Sequence, residues 1–271
     1  MIPAAMPKPQ NRARHGGTLK LHRGAIFGEV SKPPHCPQSP HIPPHLRFGT
    51  AVANYISILG EPANCAQTER RGGARNRANR ESHALNKRQI ANLEAAERHA
   101  WAIGLPFTRM VTIHWQAAGV PLEGMVRATG RYIDLLTRWL ARKGHRTAWI
   151  WVLENGHGKG GHCHLLVHVP APLVRDLVAK AKQWLRAITG KPYRKRVLCS
   201  RPIGGWLGIE KSNPESYAAN ATAALAYLVK GADSEAAAAF GLERLQPGGR
   251  IIGRRCSASQ NINAKARKAK D

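Results

Sequence analysis

The sequence predicts an α+β domain built on a central antiparallel sheet with helices packed on its faces. Two observations support this fold class. Segments with strand-like alternation and segments with helical spacing follow one another as strand, helix, hairpin, helix, strand, helix. The apolar runs at 148–154 and 162–169 are joined by NGHGKGG, a glycine-rich loop typical of a turn between antiparallel strands.

Composition divides the chain of 271 residues into three parts. Residues 1–81 are rich in Pro, His and basic residues and have no sustained periodicity. We expect them to be mostly disordered, because they cannot bury enough apolar surface to offset their ordering entropy. Residues 82–249 contain the periodic segments and form the expected domain. Residues 250–271 are basic and aperiodic, which predicts a solvated tail, although such a tail could hold phosphates.

The first half of the expected domain contains a helix, a strand and a second helix. Helical spacing of apolar residues over 82–104 predicts the first helix, with Gly104 as its end. Residues 107–115, FTRMVTIHW, alternate as a strand does. Residues 121–143 then have the apolar spacing of an amphipathic helix.

The second half follows the hairpin. A helix is predicted over 172–190, and one or two strands over 193–210. The last predicted helix is 214–230, for which Asn213 is placed to cap the first turn and Gly231 to end it.

The hairpin carries the first group of candidate functional residues. Side chains alternate across a strand, so His162 and His164 project from the same face. Glu154 joins that face if it pairs directly with either histidine. Two imidazoles and a carboxylate then converge, which suits a divalent metal: imidazole binds Mn, Fe, Ni, Cu or Zn, and a carboxylate also accepts Mg or Mn.

The charge of the chain indicates its class of partner. Its 42 Lys and Arg residues against 16 Asp and Glu give a formal net charge of +26, which favours a polyanion and nucleic acid above all. No segment has the continuous apolar length of a membrane span. Five scattered cysteines without a CxxC pair argue against a disulfide framework, so a reducing cytoplasm is expected.

The last predicted helix carries the second group of candidate functional residues. Tyr227 and Lys230 are three residues apart and so share a helix face, to which Asn220 also projects. Such a Y-x-x-K pair is common, and its meaning depends on the histidines that precede it. Tyr217 is rotated away from Tyr227 and is expected to be a core or substrate-contacting residue.

Three motifs together resemble those of the HUH single-strand endonucleases. HCHLLV at 162–167 is similar to the His-hydrophobe-His motif of that family, 107–115 to its first motif strand, and YLVK at 227–230 to its tyrosine motif. The tyrosine follows the histidines, as it does in rolling-circle replication initiators (Rep proteins) of bacterial plasmids and phages. The resemblance covers about residues 85–235 and implies a ferredoxin-like or RRM-like core.

The resemblance also implies a function and a set of site residues. Mg²⁺ or Mn²⁺ would be held by His162, His164 and Glu154, Tyr227 would be the nucleophile, and Lys230 would assist it. The protein would nick and join single-stranded DNA at a replication origin or hairpin through a 5′-phosphotyrosine, with host helicase and polymerase as further partners. The residues expected to bind DNA are Lys159, Asn220, Arg254 and Arg255.

Three other classes of protein share part of this pattern. A single-tyrosine transposase has the same chemistry but is normally more compact. A cupin or nonheme iron oxygenase also uses His-x-His with a carboxylate, but it needs many short strands and does not explain the positive charge. A DNA-binding protein without catalytic activity would need the charge, but not the histidines, Glu154 or Tyr227.

Overall fold

The computed structural model describes residues 80–269, and all structural statements below concern these residues. They form an α+β fold with a five-stranded antiparallel sheet and helices, so the predicted fold class is confirmed at this level. The predicted disorder of residues 1–81 falls almost entirely on residues outside the described range. Among the described residues, no helix combines the length and the apolar character that a membrane crossing requires.

The main sheet has the strand order β5-β2-β4-β3-β7, and each neighbouring pair is antiparallel. A separate two-stranded sheet pairs β1 with β6. The strands are β1 (Glu81–Ser82), β2 (Arg109–Ile113), β3 (Trp149–Gly156), β4 (Gly160–Val167), β5 (Leu198–Pro202), β6 (Ile251–Ile252) and β7 (Cys256–Ala258).

The helices occur in the predicted order. They are α1 (Lys87–Ala102), α2 (Met125–Arg142), α3 (Val174–Thr189), α4 (Ile209–Ser212), α5 (Pro214–Leu228), α6 (Ser234–Ala239) and α7 (Ala264–Lys268). Helix α1 begins later than predicted, because Asn86 and Gln89 form a reciprocal capping box at its start. Helix α5 is capped by the side chain of Asn213 as predicted, but it ends before Lys230.

The alternation predicted for the hairpin separates two apolar cores. Cys163, Leu165 and Val167 of β4 pack in one core with α2 and α3. Leu166 packs in the other core, together with α1 and α5. The sheet therefore has helices on both faces, and burial of each such aliphatic side chain contributes about 1.5–3 kcal/mol. His162 and His164 project toward the face that α5 covers.

The C-terminal segment is part of the domain, and the prediction of a tail at 250–271 is wrong for residues 250–269. Strand β7 pairs with β3 and forms an edge of the main sheet. Ile251 and Ile262 are buried, at 1% and 0% exposure. Strands of two or three residues are too short to produce a detectable period, which is why the segment resembled a charge run.

Candidate metal and tyrosine site

Strand register brings the three predicted metal ligands together. Glu154 of β3 pairs directly with His162 of β4, and His164 follows two residues later on the same face. All three side chains are buried, with 3–4% of their surface exposed. One ligand atom from each lies within 4.8 Å of the others, so the predicted convergence is confirmed.

The histidines present their Nε2 atoms to the carboxylate. Glu154 Oε2 lies 3.2 Å from His162 Nε2 and 3.6 Å from His164 Nε2. The opposite ring nitrogens are held by the protein: His162 Nδ1 donates to the Gly160 carbonyl at 2.8 Å, and His164 Nδ1 is hydrogen-bonded to Thr112 Oγ1 at 3.0 Å. Holding Nδ1 in this way orients the ring and leaves the Nε2 lone pair for a metal ion.

Two buried polar atoms of this cluster lack a hydrogen-bond partner among the described residues. They are Glu154 Oε1 and His164 Nε2. Buried polar atoms are normally satisfied, and a metal ion would satisfy both of these. Two imidazole nitrogens and a carboxylate fit a first-row divalent ion or, through the oxygen, Mg²⁺. The residues present therefore fit the predicted cofactor class.

Lys230 is the cationic partner of the cluster. Its Nζ lies 2.5 Å from Glu154 Oε2, and only 2% of the residue is exposed. The residue lies beyond the end of α5, where its carbonyl accepts a hydrogen bond from the backbone N–H of Gln246. The ammonium also lies 4.3 Å from the centroid of the Tyr227 ring, a cation–π contact. Lys230 thus links the carboxylate to the predicted nucleophile.

Tyr227 packs against the cluster of candidate metal ligands. Its ring meets that of His164 edge to face, with 5.1 Å between centroids, and the residue is half-buried. The guanidinium carbon of Arg244 lies 5.8 Å from the centroid of the same ring. The phenol therefore lies beside the candidate ligands and within reach of two cationic groups.

Burial and charge together set the protonation states of the cluster. Burial acts to raise the pKa of Glu154, but the imidazoles of His162 and His164 and the charge of Lys230 outweigh it and hold this pKa below its ordinary value. Burial lowers the pKa of His164 to about 4, so this imidazole is neutral at pH 7, the form that binds metals. Burial also lowers the pKa of Lys230, and the Glu154 carboxylate opposes this effect.

The four predicted DNA-binding residues have different surroundings. Lys159 is exposed in the turn between β3 and β4, and its charge contributes to lowering the pKa of Lys230. The Asn220 amide donates to the Ser216 carbonyl of its own helix. Arg254 is exposed and donates to the hydroxyl of a nearby serine, Ser257.

Arg255 has the surroundings of a structural residue. It is 2% exposed, and its guanidinium donates to the carbonyls of Ser82, Leu153, Gly248 and Gly249. A guanidinium held this way cannot reach a phosphate, so Arg255 is withdrawn from the DNA-binding residues. Tyr217 is also a structural residue. It is 1% exposed, donates its hydroxyl to the Phe107 carbonyl at 2.8 Å and belongs to the core.

Two residues near the site were not singled out from the sequence. Thr112 of β2 pairs with His164 across the sheet and orients its ring. His114 stacks near His162, with 5.5 Å between ring centroids, and burial lowers its pKa. Both belong to the alternating run 107–115, whose polar face was visible in the sequence. The alternation in the sequence placed both residues on one face of the strand. It did not show which strand pairs with this one, or which side chains that face contacts.

Comparison of the chain with protein-family models, with curated proteins and with solved structures found no match.

Proposed function

We propose that this protein is a metal-dependent HUH-type endonuclease that nicks and joins single-stranded DNA through a 5′-phosphotyrosine. The observation that carries the proposal is the contact between the Tyr227 ring and His164, within a buried cluster that also contains His162 and Glu154. A tyrosine beside a three-ligand metal site provides both a nucleophile and a place for the scissile phosphate.

The sheet topology also supports the proposal. The segment from β2 to β5 runs strand, helix, strand, strand, helix, strand. Its four strands have the order fourth, first, third, second, which is the order of a split βαβ unit. We propose that this core is of the ferredoxin-like kind expected for the family. In this arrangement the histidine strand is central and the first motif strand lies next to it.

The proposed reaction is a phosphodiester transesterification. The Tyr227 oxygen attacks phosphorus and loses its proton, the bond from phosphorus to the 3′ oxygen breaks, and that oxygen takes up a proton to leave as a 3′-hydroxyl. A bound divalent ion would polarise the phosphate and neutralise charge in the transition state. The phosphotyrosine conserves the energy of the broken bond, so a free 3′-hydroxyl can reverse the step and join strands.

Lys230 assists this step by its position. A phenol with a pKa near 10 is about one part in a thousand ionised at pH 7, so the nucleophile needs a nearby positive charge. The ammonium lies over the Tyr227 ring and is held there by Glu154. It can therefore stabilise a phenolate or the attacked phosphate.

The substrate we propose is the single-stranded DNA of a replication origin or hairpin, cut to initiate rolling-circle replication of a bacterial plasmid or phage. Host helicase and polymerase would then extend the 3′ end in the cytoplasm. The charge of +26 supports a nucleic-acid partner. This assignment of the pathway rests on the motif resemblance.

Covalent capture tests the proposal. A random-sequence single-stranded oligonucleotide pool with a 3′ fluorophore is incubated with the full chain and Mn²⁺, then denatured and separated by electrophoresis. We expect fluorescence to migrate with the protein, because the fragment on the 3′ side of the cut keeps the phosphate. Label placed on the 5′ end should be released, and EDTA should abolish the adduct.

Two tyrosine variants test whether the adduct forms on Tyr227. Tyr227→Phe removes only the hydroxyl and should abolish adduct and nicking together, whereas Tyr217→Phe should retain both. His162→Ala should abolish nicking without abolishing DNA binding, which rests on phosphate contacts. Nicking by Tyr227→Phe without an adduct would mean that a metal-activated water is the nucleophile, and the proposal would be wrong.

A further inference from the structure

A large groove lies on the face of the sheet opposite the metal site. It has a volume of about 1160 Å³ and runs between α2, the outer side of β3 and the segment 252–261. Trp149 and Trp151 of β3 line it. Glu154 lies three positions after Trp151 on the same strand, so it projects to the other face. The groove is thus separate from the site described above.

The rim of this groove is basic. Arg80, Arg127, Arg146 and Arg254 line it and are all exposed, whereas its acidic lining residues are Glu123 and Asp134. Asp134 is already neutralised by ion pairs with two other arginines of α2, Arg131 and Arg138. The groove therefore has an excess of positive charge that suits an anionic polymer.

The floor of the groove is aromatic and polar. Trp149 is half-buried and Trp151 is 5% exposed, so one indole is accessible and the other lies deeper. Thr137 also lines the groove, and its buried hydroxyl has no hydrogen-bond partner among the described residues. Aromatic rings on the floor and arginines on the rim are the combination that binds single-stranded nucleic acid, by base stacking and phosphate contacts.

The helix wall leaves room for such a strand. Gly130 lies in the middle of α2 and lines the groove, and a Cβ placed on it would meet no atom within 4 Å. Glycine weakens a helix at such a position, so its presence is not explained by the stability of α2. It lets a ligand approach the helix backbone.

We infer that this groove is a second binding site for single-stranded DNA, which holds the strand by its phosphates while a base stacks on Trp149. The inference does not depend on the reaction proposed for Tyr227. It assigns Arg254 and Arg127 to phosphate contacts and Trp149 to stacking.

The test measures affinity without cleavage. Binding of a fluorescein-labelled fifteen-nucleotide oligo(dT) to the full chain is followed by fluorescence anisotropy in EDTA over a range of salt. Arg127→Ala combined with Arg254→Ala should weaken binding about tenfold or more near physiological salt. It should also flatten the log–log salt dependence by about 1.4, which is 0.7 for each of two phosphate contacts.

A matched pair provides the control. Arg175 and Arg186 lie on α3 outside the groove and are exposed, so replacing both with Ala removes the same charge without changing a lining residue or its ion pairs. This variant should keep the wild-type slope. Equal losses of affinity and slope in the two double variants would mean that only overall charge attracts DNA, and would overturn the inference.

A space-filling variant tests the groove without a change of charge. Gly130→Leu adds a side chain where there is open space and should favour the helix. It should weaken oligo(dT) binding about tenfold, because the added side chain occupies space that the strand would use. Full affinity in Gly130→Leu would likewise overturn the inference.

Discussion

Replacing Thr112 with Val should weaken metal binding although Thr112 is not itself a predicted ligand. Its hydroxyl is hydrogen-bonded to His164 Nδ1 at 3.0 Å, and His164 is 3% exposed, so water cannot replace the lost partner. Val has the same shape as Thr and suits a strand. Loss of such an outer-shell partner typically reduces metal affinity by about 10–100-fold, or about 1.4–2.7 kcal/mol.

Calorimetric titration of the full chain with Mn²⁺ measures this effect directly. Urea unfolding without metal should also show that Thr112→Val lowers the free energy of unfolding by about 1–3 kcal/mol, because Nδ1 of the buried His164 ring loses its hydrogen-bond partner. Thr137→Val is the control: it makes the same substitution in helix α2, which packs on the opposite face of the sheet, and the Thr137 hydroxyl already lacks a hydrogen-bond partner among the described residues. Equal Mn²⁺ affinity in Thr112→Val and wild type would refute the argument that Nε2 of His164 is aimed at a metal.

Two further predictions concern the C-terminal segment, and both are measured by urea unfolding. Arg255→Met should destabilise the protein by about 3–5 kcal/mol, because several buried carbonyls lose a charged donor, whereas the same change at exposed Arg254 should stay within about 0.5 kcal/mol. Gly249 has a φ of +68°, and a Cβ at this position would lie 1.9 Å from the Asn155 carbonyl oxygen. Gly249→Ala should therefore destabilise the protein by more than about 2 kcal/mol. Gly144 has a φ of +77°, but a Cβ there would meet open space. Gly144→Ala therefore measures the backbone strain alone and should lower the free energy of unfolding by about 1–2 kcal/mol. Similar losses at both glycines would contradict close packing of this segment on β3.

The convergence of the three candidate metal ligands was predictable because it depends on local rules. His162 and His164 share a face through the period of one strand, and Glu154 meets them through a short hairpin whose register the loop restricts. Strand β4 is buried on both faces, and its alternate side chains pack in different cores, as the predicted alternation requires. No knowledge of the rest of the fold was needed to bring these three side chains together.

Contacts between distant segments were not predictable in this way. Thr112 reaches His164 only because β2 pairs with β4, a register that the sequence of neither strand specifies. Arg254 and Arg255 have the same chemistry and adjacent positions, yet one is exposed and the other buried. Which of them points inward depends on the pairing of β7 with β3, and that short strand produced no pattern.

Lys230 shows how the end of a helix sets the charge of the site. Helix α5 ends at Leu228, so Lys230 leaves the helical path and its ammonium lies between Glu154 and the Tyr227 ring. Glu154 is the acidic group in contact with the ammonium, so a bound divalent ion would add positive charge to a buried site that already holds one ion pair. A DNA phosphodiester would offset that added charge, and uncompensated charge is unfavourable where water is excluded. In the cleavage that we propose, the phosphate of the DNA would therefore help to hold the divalent ion at this site as well as receive the attack of Tyr227.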